Sequence, residues 1–205
     1  MRREQKILVT TLWALAVLGM LGLVATGVLA RRQADKLEVL FDAPPFTLVD
    51  QNNQTVTDAS LKGNVWVGML FFTQCPGVCP MMTGRMVQLQ KAIPDKDVKI
   101  VSFSVDPEHD TPAAMKAYAE KSQVDESRWH LLTGPKELMF AVAMGLKLPA
   151  APAQGDQPIV HSQRVLLFDR GNHVRGVYDT NDDDSMQKLA NDVRTLLAEP
   201  VGRTS

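Results

Sequence analysis

The spacing of hydrophobic positions changes several times along the chain, and each change marks an element. Residues 7–30, ILVTTLWALAVLGMLGLVATGVLA, hold no charged side chain. In a helix rising ~1.5 Å per residue they would span about 36 Å, enough to cross a ~30 Å hydrocarbon core with some tilt. A signal peptide has a shorter apolar stretch, about 7–15 residues. Residues 1–30 are therefore expected to be a retained transmembrane anchor rather than a leader cleaved after Val28-Leu29-Ala30. Arg2, Arg3 and Lys6 precede the segment and Arg31, Arg32 and Lys36 follow it, which ties the positive-inside count. The short leading tail favours export of the C-terminal part.

Residues 31–44 mix charges and run into Ala43-Pro44-Pro45, the composition of a tether; the folded domain is expected over residues 45–200. Phe46–Val49 and Thr55–Thr57 flank a polar turn at 50–53 and predict a hairpin. Val65–Phe72 is apolar at both parities, the pattern of a central strand buried on two faces. A helix is expected from about Pro80 to Lys91, then a β-branched strand at Val98–Val105. Thr111-Pro112 opens the next helix, with Thr at the cap and Pro at the first helical position. Trp129–Leu132 predicts a short strand and Pro135–Leu146 a helix. Arg164–Phe168 and Val174–Tyr178 read as strands joined through Asp169-Arg170-Gly171-Asn172. In the last helix Met186, Leu189, Val193, Leu196 and Leu197 recur at helical spacing behind Asp182–Asp184, whose charges suit the positive end of the helix dipole. Strands alternating with helices predict an α/β domain with a mainly parallel sheet, covered on both faces, and an antiparallel closing pair. Residues 148–158, LPAAPAQGDQP, predict an irregular loop.

Composition narrows the chemistry. With 45% apolar and 22% charged residues the chain is globular rather than disordered. A net charge of −1 without a basic block argues against a nucleic-acid partner. Two cysteines are too few for a disulfide scaffold or an all-thiolate zinc site.

Those two cysteines lie in Thr73-Gln74-Cys75-Pro76-Gly77-Val78-Cys79-Pro80, where a buried strand gives way to a helix. Open α/β sheets place their chemistry at such strand ends. The helix is expected to begin near Cys79, because Pro76 and Pro80 lack N–H donors and belong in the loop or the first turn. Free N–H groups at a helix start stabilise a thiolate. Three intervening residues wrapped as a turn bring both sulfurs to one side, where they can close a disulfide or hold one metal ion. A pair of thiolates without a second pair suits Cu(I), with an imidazole as third ligand. The histidines are His109 in an exposed turn, His130 in a strand, His173 beside a hairpin turn, and His161 after the Pro-rich loop. Spacing favours His161 without settling the choice.

Taken together, Phe72-Thr73-Gln74-Cys75-Pro76-Gly77-Val78-Cys79-Pro80, Phe103–Pro112 (FSVDPEHDTP), Leu132-Thr133-Gly134 and Val160-His161-Ser162 resemble the Sco/SenC family. Its members are membrane-anchored, thioredoxin-like proteins tied to copper delivery to cytochrome c oxidase, and the resemblance runs from about Phe46 to Tyr178. It implies a thioredoxin-like sheet with flanking helices and extra elements, and Cys75, Cys79 and His161 as ligands of a copper ion, Cu(I) and as a second state Cu(II). It also implies a copper-accepting oxidase subunit or another copper chaperone as partner. The soluble domain would stand on the non-cytoplasmic side, in a bacterial periplasm or a mitochondrial intermembrane space.

Three positions depart from the family pattern. Val160 stands where Asp usually precedes the ligand histidine, Gly77 where an acidic residue is common, and Gln74 where His is common. Loss of the Asp is expected to remove a carboxylate that would orient the histidine ring. Met81, Met82 and Met86 offer soft thioethers, although methionines on a helix usually fill a core. Asp110 is expected to cap the helix opening at Pro112. Beside copper delivery stands a second function, thiol–disulfide exchange with Cys75 and Cys79 as the redox pair. The spacing counts against it, since a simple exchange motif has two residues between its cysteines.

Overall fold

The computed structural model describes residues 37–153 and 158–200, together with positions 13, 17–20 and 22, which are helical. The rest of the expected anchor and residues 31–36 of the expected tether lie outside the described residues. Among the described residues, no helix is long and apolar enough to cross a membrane.

The folded part runs β1 (Phe41–Asp42), β2 (Thr47–Asp50), β3 (Thr55–Thr57), α1 (Asp58–Leu61), β4 (Val65–Phe71), α2 (Val78–Ala92), β5 (Val98–Ser104) and α3 (Pro112–Lys121). It continues with β6 (Trp129–Thr133), α4 (Lys136–Gly145), β7 (Ala150–Ala151), β8 (Val160–His161), β9 (Arg164–Phe168), β10 (His173–Asp179) and α5 (Asp183–Ala198). One sheet has the order β1-β10-β9-β4-β5-β6-β2-β3; β7 and β8 form a separate pair. The mixed α/β, thioredoxin-like sheet with flanking helices and an N-terminal hairpin is present as expected.

Every residue of β4 is buried. Neighbouring side chains on a strand point to opposite faces, so β4 is covered on both. Helix α5 packs against β10 and β4, α3 against β6, and α4 against β5 and β7. Trp66 of β4 stacks on Phe168 of β9 with ring centroids 3.5 Å apart, and its indole N–H donates to Asn172 Oδ1 at 3.0 Å. Helix α3 starts as its sequence predicts, with the Thr111 hydroxyl accepting from the Ala114 N–H at 3.2 Å.

Three expectations need correction. The sheet is mainly antiparallel: only the pairs β4–β5 and β5–β6 are parallel, and β9 meets β4 antiparallel. The cause lies in the second correction. Residues 148–158 do not form a wholly irregular loop; Ala150 and Ala151 pair antiparallel with His161 and Val160. A strand–helix–strand unit returns the chain parallel, and this extra reversal turns β9 the other way. Third, Phe41–Asp42, placed in the tether by composition, pair with Val174 and His173 of β10, and the Leu37 carbonyl accepts from Arg175 Nε at 3.0 Å.

Candidate metal centre

The centre forms at the carboxyl ends of β4, β5 and β6, where parallel strands leave their loops on one side. Helix α2 begins at Gly77, which has no side chain to cap it. The Cys75 sulfur takes that part, accepting the Cys79 N–H at 3.4 Å. A sulfur that receives amide protons at a helix start is stabilised as thiolate. Burial pushes the Cys75 thiol up, but the N–H groups of Cys79, Gly77 and Val78 outweigh it and hold the thiol below its ordinary value. Cys79 is 0% exposed. Burial pushes its thiol far up; the Phe72 backbone opposes this, while the nearby Cys75 and Asp110 charges reinforce it. Both cysteines are free, and Cys75 is the half-exposed member.

His161 arrives from β8, held there by pairing with Ala150 and by the Ser162 N–H, which donates to the Pro149 carbonyl at 2.8 Å. Its Nδ1 lies 3.0 Å from the Ser162 carbonyl oxygen. A carbonyl only accepts, so Nδ1 carries the proton and Nε2 presents its lone pair. That Nε2 lies 3.0 Å from Cys79 Sγ. Burial holds the imidazole below its ordinary value, with the Ser162 carbonyl opposing. Phe72 meets the ring edge-on, centroids 5.7 Å apart. Among the described residues, Cys75, Cys79 and His161 form the one group of His, Cys, Asp or Glu donors placed to share a metal ion, with all three donor atoms within 4.8 Å of one another.

The other histidines are engaged elsewhere, each by a carboxylate. His109 Nδ1 lies 2.9 Å from Asp106 Oδ1, His130 Nδ1 3.0 Å from Asp50 Oδ2, and His173 Nδ1 3.0 Å from Asp169 Oδ1. For His109 and His173 the signal was local, since the partner Asp stands three or four residues earlier. The Asp50–His130 pair spans 80 positions and is invisible to spacing.

Asp110 does not cap α3; Thr111 does. Asp110 is 0% exposed and accepts from the Thr73 N–H at 3.0 Å, the Thr73 hydroxyl at 2.5 Å and the Ser104 hydroxyl at 2.5 Å. It thereby ties the cysteine loop to the end of β5. Burial pushes its carboxyl up, against the pull of those donors. The motif FSVDPEHDTP had marked Asp110, but not this partner. Gly134 of the Leu132-Thr133-Gly134 landmark passes so close to β2 that an added Cβ would sit 2.7 Å from Leu48 Cδ2.

Val160 does not leave the histidine without an orienting partner, because the Ser162 carbonyl does that work. The Val160 side chain is 60% exposed, on the face of β8 opposite His161. Gln74 and Gly77 are exposed as well, so the three departures change the rim and not the donor atoms. Met82 and Met86 are fully buried core residues, and Met81 is 38% exposed. Two residues on a helix lie about 200° apart, so Met81 faces away from the Cys79 side of α2.

Comparisons agree with this geometry. The SCO1/SenC family model matches residues 36–198. A SCO1 protein homolog of Bacillus subtilis is 31% identical over 159 residues, covering 76% of this chain and 82% of the relative. The solved structure of BsSco, a member of the Sco family of cytochrome c oxidase assembly proteins in which a disulfide switch was identified, is 29% identical. It superposes with a TM-score of 0.72 over 80% of this chain and 99% of its own. The structure of Bradyrhizobium japonicum ScoI with copper bound is also 29% identical, with a TM-score of 0.65 over 76% and 99% of the two chains. With the family match spanning the whole sheet and the cysteine–histidine centre, the chain belongs to the SCO1/SenC family.

Proposed function

We propose that this protein takes up one copper ion through Cys75, Cys79 and His161 and passes it to an acceptor during assembly of a respiratory oxidase. The observation that carries the reading is the convergence of two sulfurs and one unprotonated ring nitrogen within 4.8 Å. Two soft sulfurs and an imidazole are the donor set copper prefers, and their small number leaves room for an incoming ligand. The copper-bound relative and the oxidase-assembly role of BsSco support the same assignment. In this reading residues 7–30 anchor the domain on the non-cytoplasmic side, in a bacterial periplasm or a mitochondrial intermembrane space.

The test is a Cu(I) titration of the reduced full-length protein in detergent under anaerobic conditions. One ion per chain is expected, with affinity lowered at least about 10-fold by His161→Ala and by Cys75→Ser. The oxidised protein should take up none until reduced. Unchanged affinity in His161→Ala, or stoichiometric uptake by the disulfide form, rejects the three-donor centre.

The unequal thiols favour a second reading. Cys75 is half-exposed with thiolate character and Cys79 is buried and protonated. In thiol–disulfide exchange the Cys75 thiolate attacks one sulfur of a partner disulfide, releasing the other as thiolate. The Cys79 thiol then loses its proton and attacks Cys75 Sγ. The partner leaves as a dithiol, reduced by two electrons, and the Cys75–Cys79 pair is oxidised to a disulfide. His161→Ala separates the readings: it removes a copper ligand and leaves both exchanging sulfurs in place.

A further inference from the structure

The segment that carries His161 is fastened behind the histidine by the open end of the β9–β10 hairpin. The paired register of those strands ends at Arg164 and Asp179. One residue further, both donors of Thr180 meet a single acceptor: its N–H at 3.2 Å and its hydroxyl at 2.7 Å donate to the Gln163 carbonyl. Thr180 is 0% exposed. Gln163 stands two residues after His161, and its nitrogen shares a planar peptide unit with the Ser162 carbonyl, the acceptor of the His161 Nδ1 proton. The same corner makes two further links. Asn181 donates to the Gln163 side chain, and Asp183 pairs with Arg85 of α2. Asn181 and Asp183 are exposed, where water competes for such contacts and they contribute little. The buried Thr180 hydroxyl is the strong member of the set.

We propose that Thr180 is a positioning residue for copper uptake: by holding the Gln163 carbonyl it fixes the Ser162 carbonyl against the His161 ring and keeps Nε2 turned to Cys79 Sγ. The proposal rests on the copper reading of the centre. Two arguments separate this role from that of a residue closing a hairpin. Five paired positions already join β9 to β10, and the Thr180 N–H would reach the Gln163 carbonyl whatever the side chain. The hydroxyl bond is the part that depends on residue type, and it falls at the end of the hairpin nearest His161. The second argument is the slightness of the hold on the other side, where His161 is secured by a two-residue pairing with β7 and by the Ser162 N–H on the Pro149 carbonyl. A ligand ring is aimed by the group its second nitrogen bonds, and here that group is a backbone carbonyl whose own direction Thr180 restrains.

The test compares Thr180→Val, which removes the hydroxyl and keeps the N–H and the branched shape, with Thr180→Ser, which keeps the hydroxyl. Both are made in the reduced full-length protein in detergent. Thr180→Ala removes the same hydroxyl without bulk to accommodate and replaces a Val variant that does not fold. Without metal, nitrogen NMR of the His161 ring, assigned by its loss in His161→Ala, should show the Nδ1–H tautomer alone in the unaltered protein and in Thr180→Ser at about pH 8. Thr180→Val should show a mixture of both tautomers. In anaerobic Cu(I) titrations Thr180→Val should bind about 10-fold more weakly, and Thr180→Ser within about 2-fold of the unaltered protein. The double variant Thr180→Val, His161→Ala should match His161→Ala within about 2-fold, because Thr180 acts through the histidine. Unmoved ring signals in Thr180→Val, equal weakening by Thr180→Ser, or losses that add in the double variant overturn the proposal. The ring signals are recorded without metal, so failure of the positioning role is seen apart from failure of the copper reading, which His161→Ala alone reports.

Discussion

Cys79 Sγ and His161 Nε2 stand 3.0 Å apart although 82 positions separate them in the chain. Neither is placed by its own side chain. Cys79 is fixed by the first turn of α2, and His161 by a two-residue strand and the Ser162 carbonyl. The centre is thus assembled from backbone geometry, with Phe72 and Asp110 holding the strand ends in place.

The two thiols should differ in reactivity. Cys75 lies below its ordinary thiol value and Cys79 far above it. The thiolate is the nucleophile, so the rate of Cys75 alkylation by iodoacetamide should begin to rise at a lower pH than that of a cysteine in an unstructured peptide. Cys79 should be labelled only once the protein is unfolded. Peptide mapping by mass spectrometry checks the order, and equal labelling of both residues in the native protein contradicts it.

Asp110 is expected to matter through its hydrogen bonds. Asp110→Ala leaves the Thr73 N–H and the Thr73 and Ser104 hydroxyls without their acceptor, a loss of about 2–4 kcal/mol. Asp110→Asn keeps an acceptor and should stay within about 1 kcal/mol of the unaltered protein. The folded carboxyl sits above its ordinary value. Its stabilising contribution is therefore complete below the unfolded value and is lost as pH rises through the folded one. Asp110→Asn should accordingly gain stability relative to the unaltered protein between acid and neutral pH. Denaturant midpoints across that range provide the measurement.

How far the sequence reached follows from the range of each interaction. The β4 strand, the Thr111-Pro112 helix start and the cysteine turn depend on neighbours within a few residues, and they were legible. So was the convergence of both sulfurs at a helix start. The β7–β8 hairpin was not: two residues on each side, among prolines and alanines, carry no alternation of polar and apolar positions. Missing that reversal also hid the antiparallel placement of β9. His161 stood out only weakly from the other histidines, because the Asp50–His130 pairing and the approach of Ser162 to the ring depend on the folded chain. The role of Asp110 was misread for the same reason, since Thr73 lies 37 positions away.

Asp169 gives the domain an acid-sensitive clasp away from the centre. Burial alone would raise its carboxyl, but donation from Arg175 Nη1 at 2.8 Å, the His173 and Gly171 N–H groups and the His173 ring holds it below the ordinary value. A lowered folded value means that the contribution is present above the unfolded value and lost as pH falls through the folded one. Asp169→Asn should destabilise by about 1–3 kcal/mol at pH 7, and by less as the pH approaches 3. A constant difference at the two pH values would show that the clasp does not depend on charge. Arg175 also holds the Leu37 carbonyl and Glu199. The variant should therefore speed amide exchange in residues 37–42 before it affects β4.

Copper uptake should release between one and two protons per ion at pH 7. Both sulfurs must bind as thiolates and the ring as neutral imidazole. Cys79, far above its ordinary value, is fully protonated in the free protein and gives up one proton. Cys75, held below its ordinary value, gives up at most one, and less the further that value is lowered. His161, held below the usual imidazole range, carries no proton on Nε2 and gives up none. The apparent Cu(I) affinity should therefore rise with pH near neutrality by about one to two powers of ten per pH unit. Calorimetric titrations in buffers of different ionisation heat measure the number directly. Release of more than two protons would contradict the neutral Nε2 of His161, and release of less than one would mean that Cys79 is not a thiol in the free protein or not a ligand in the loaded one.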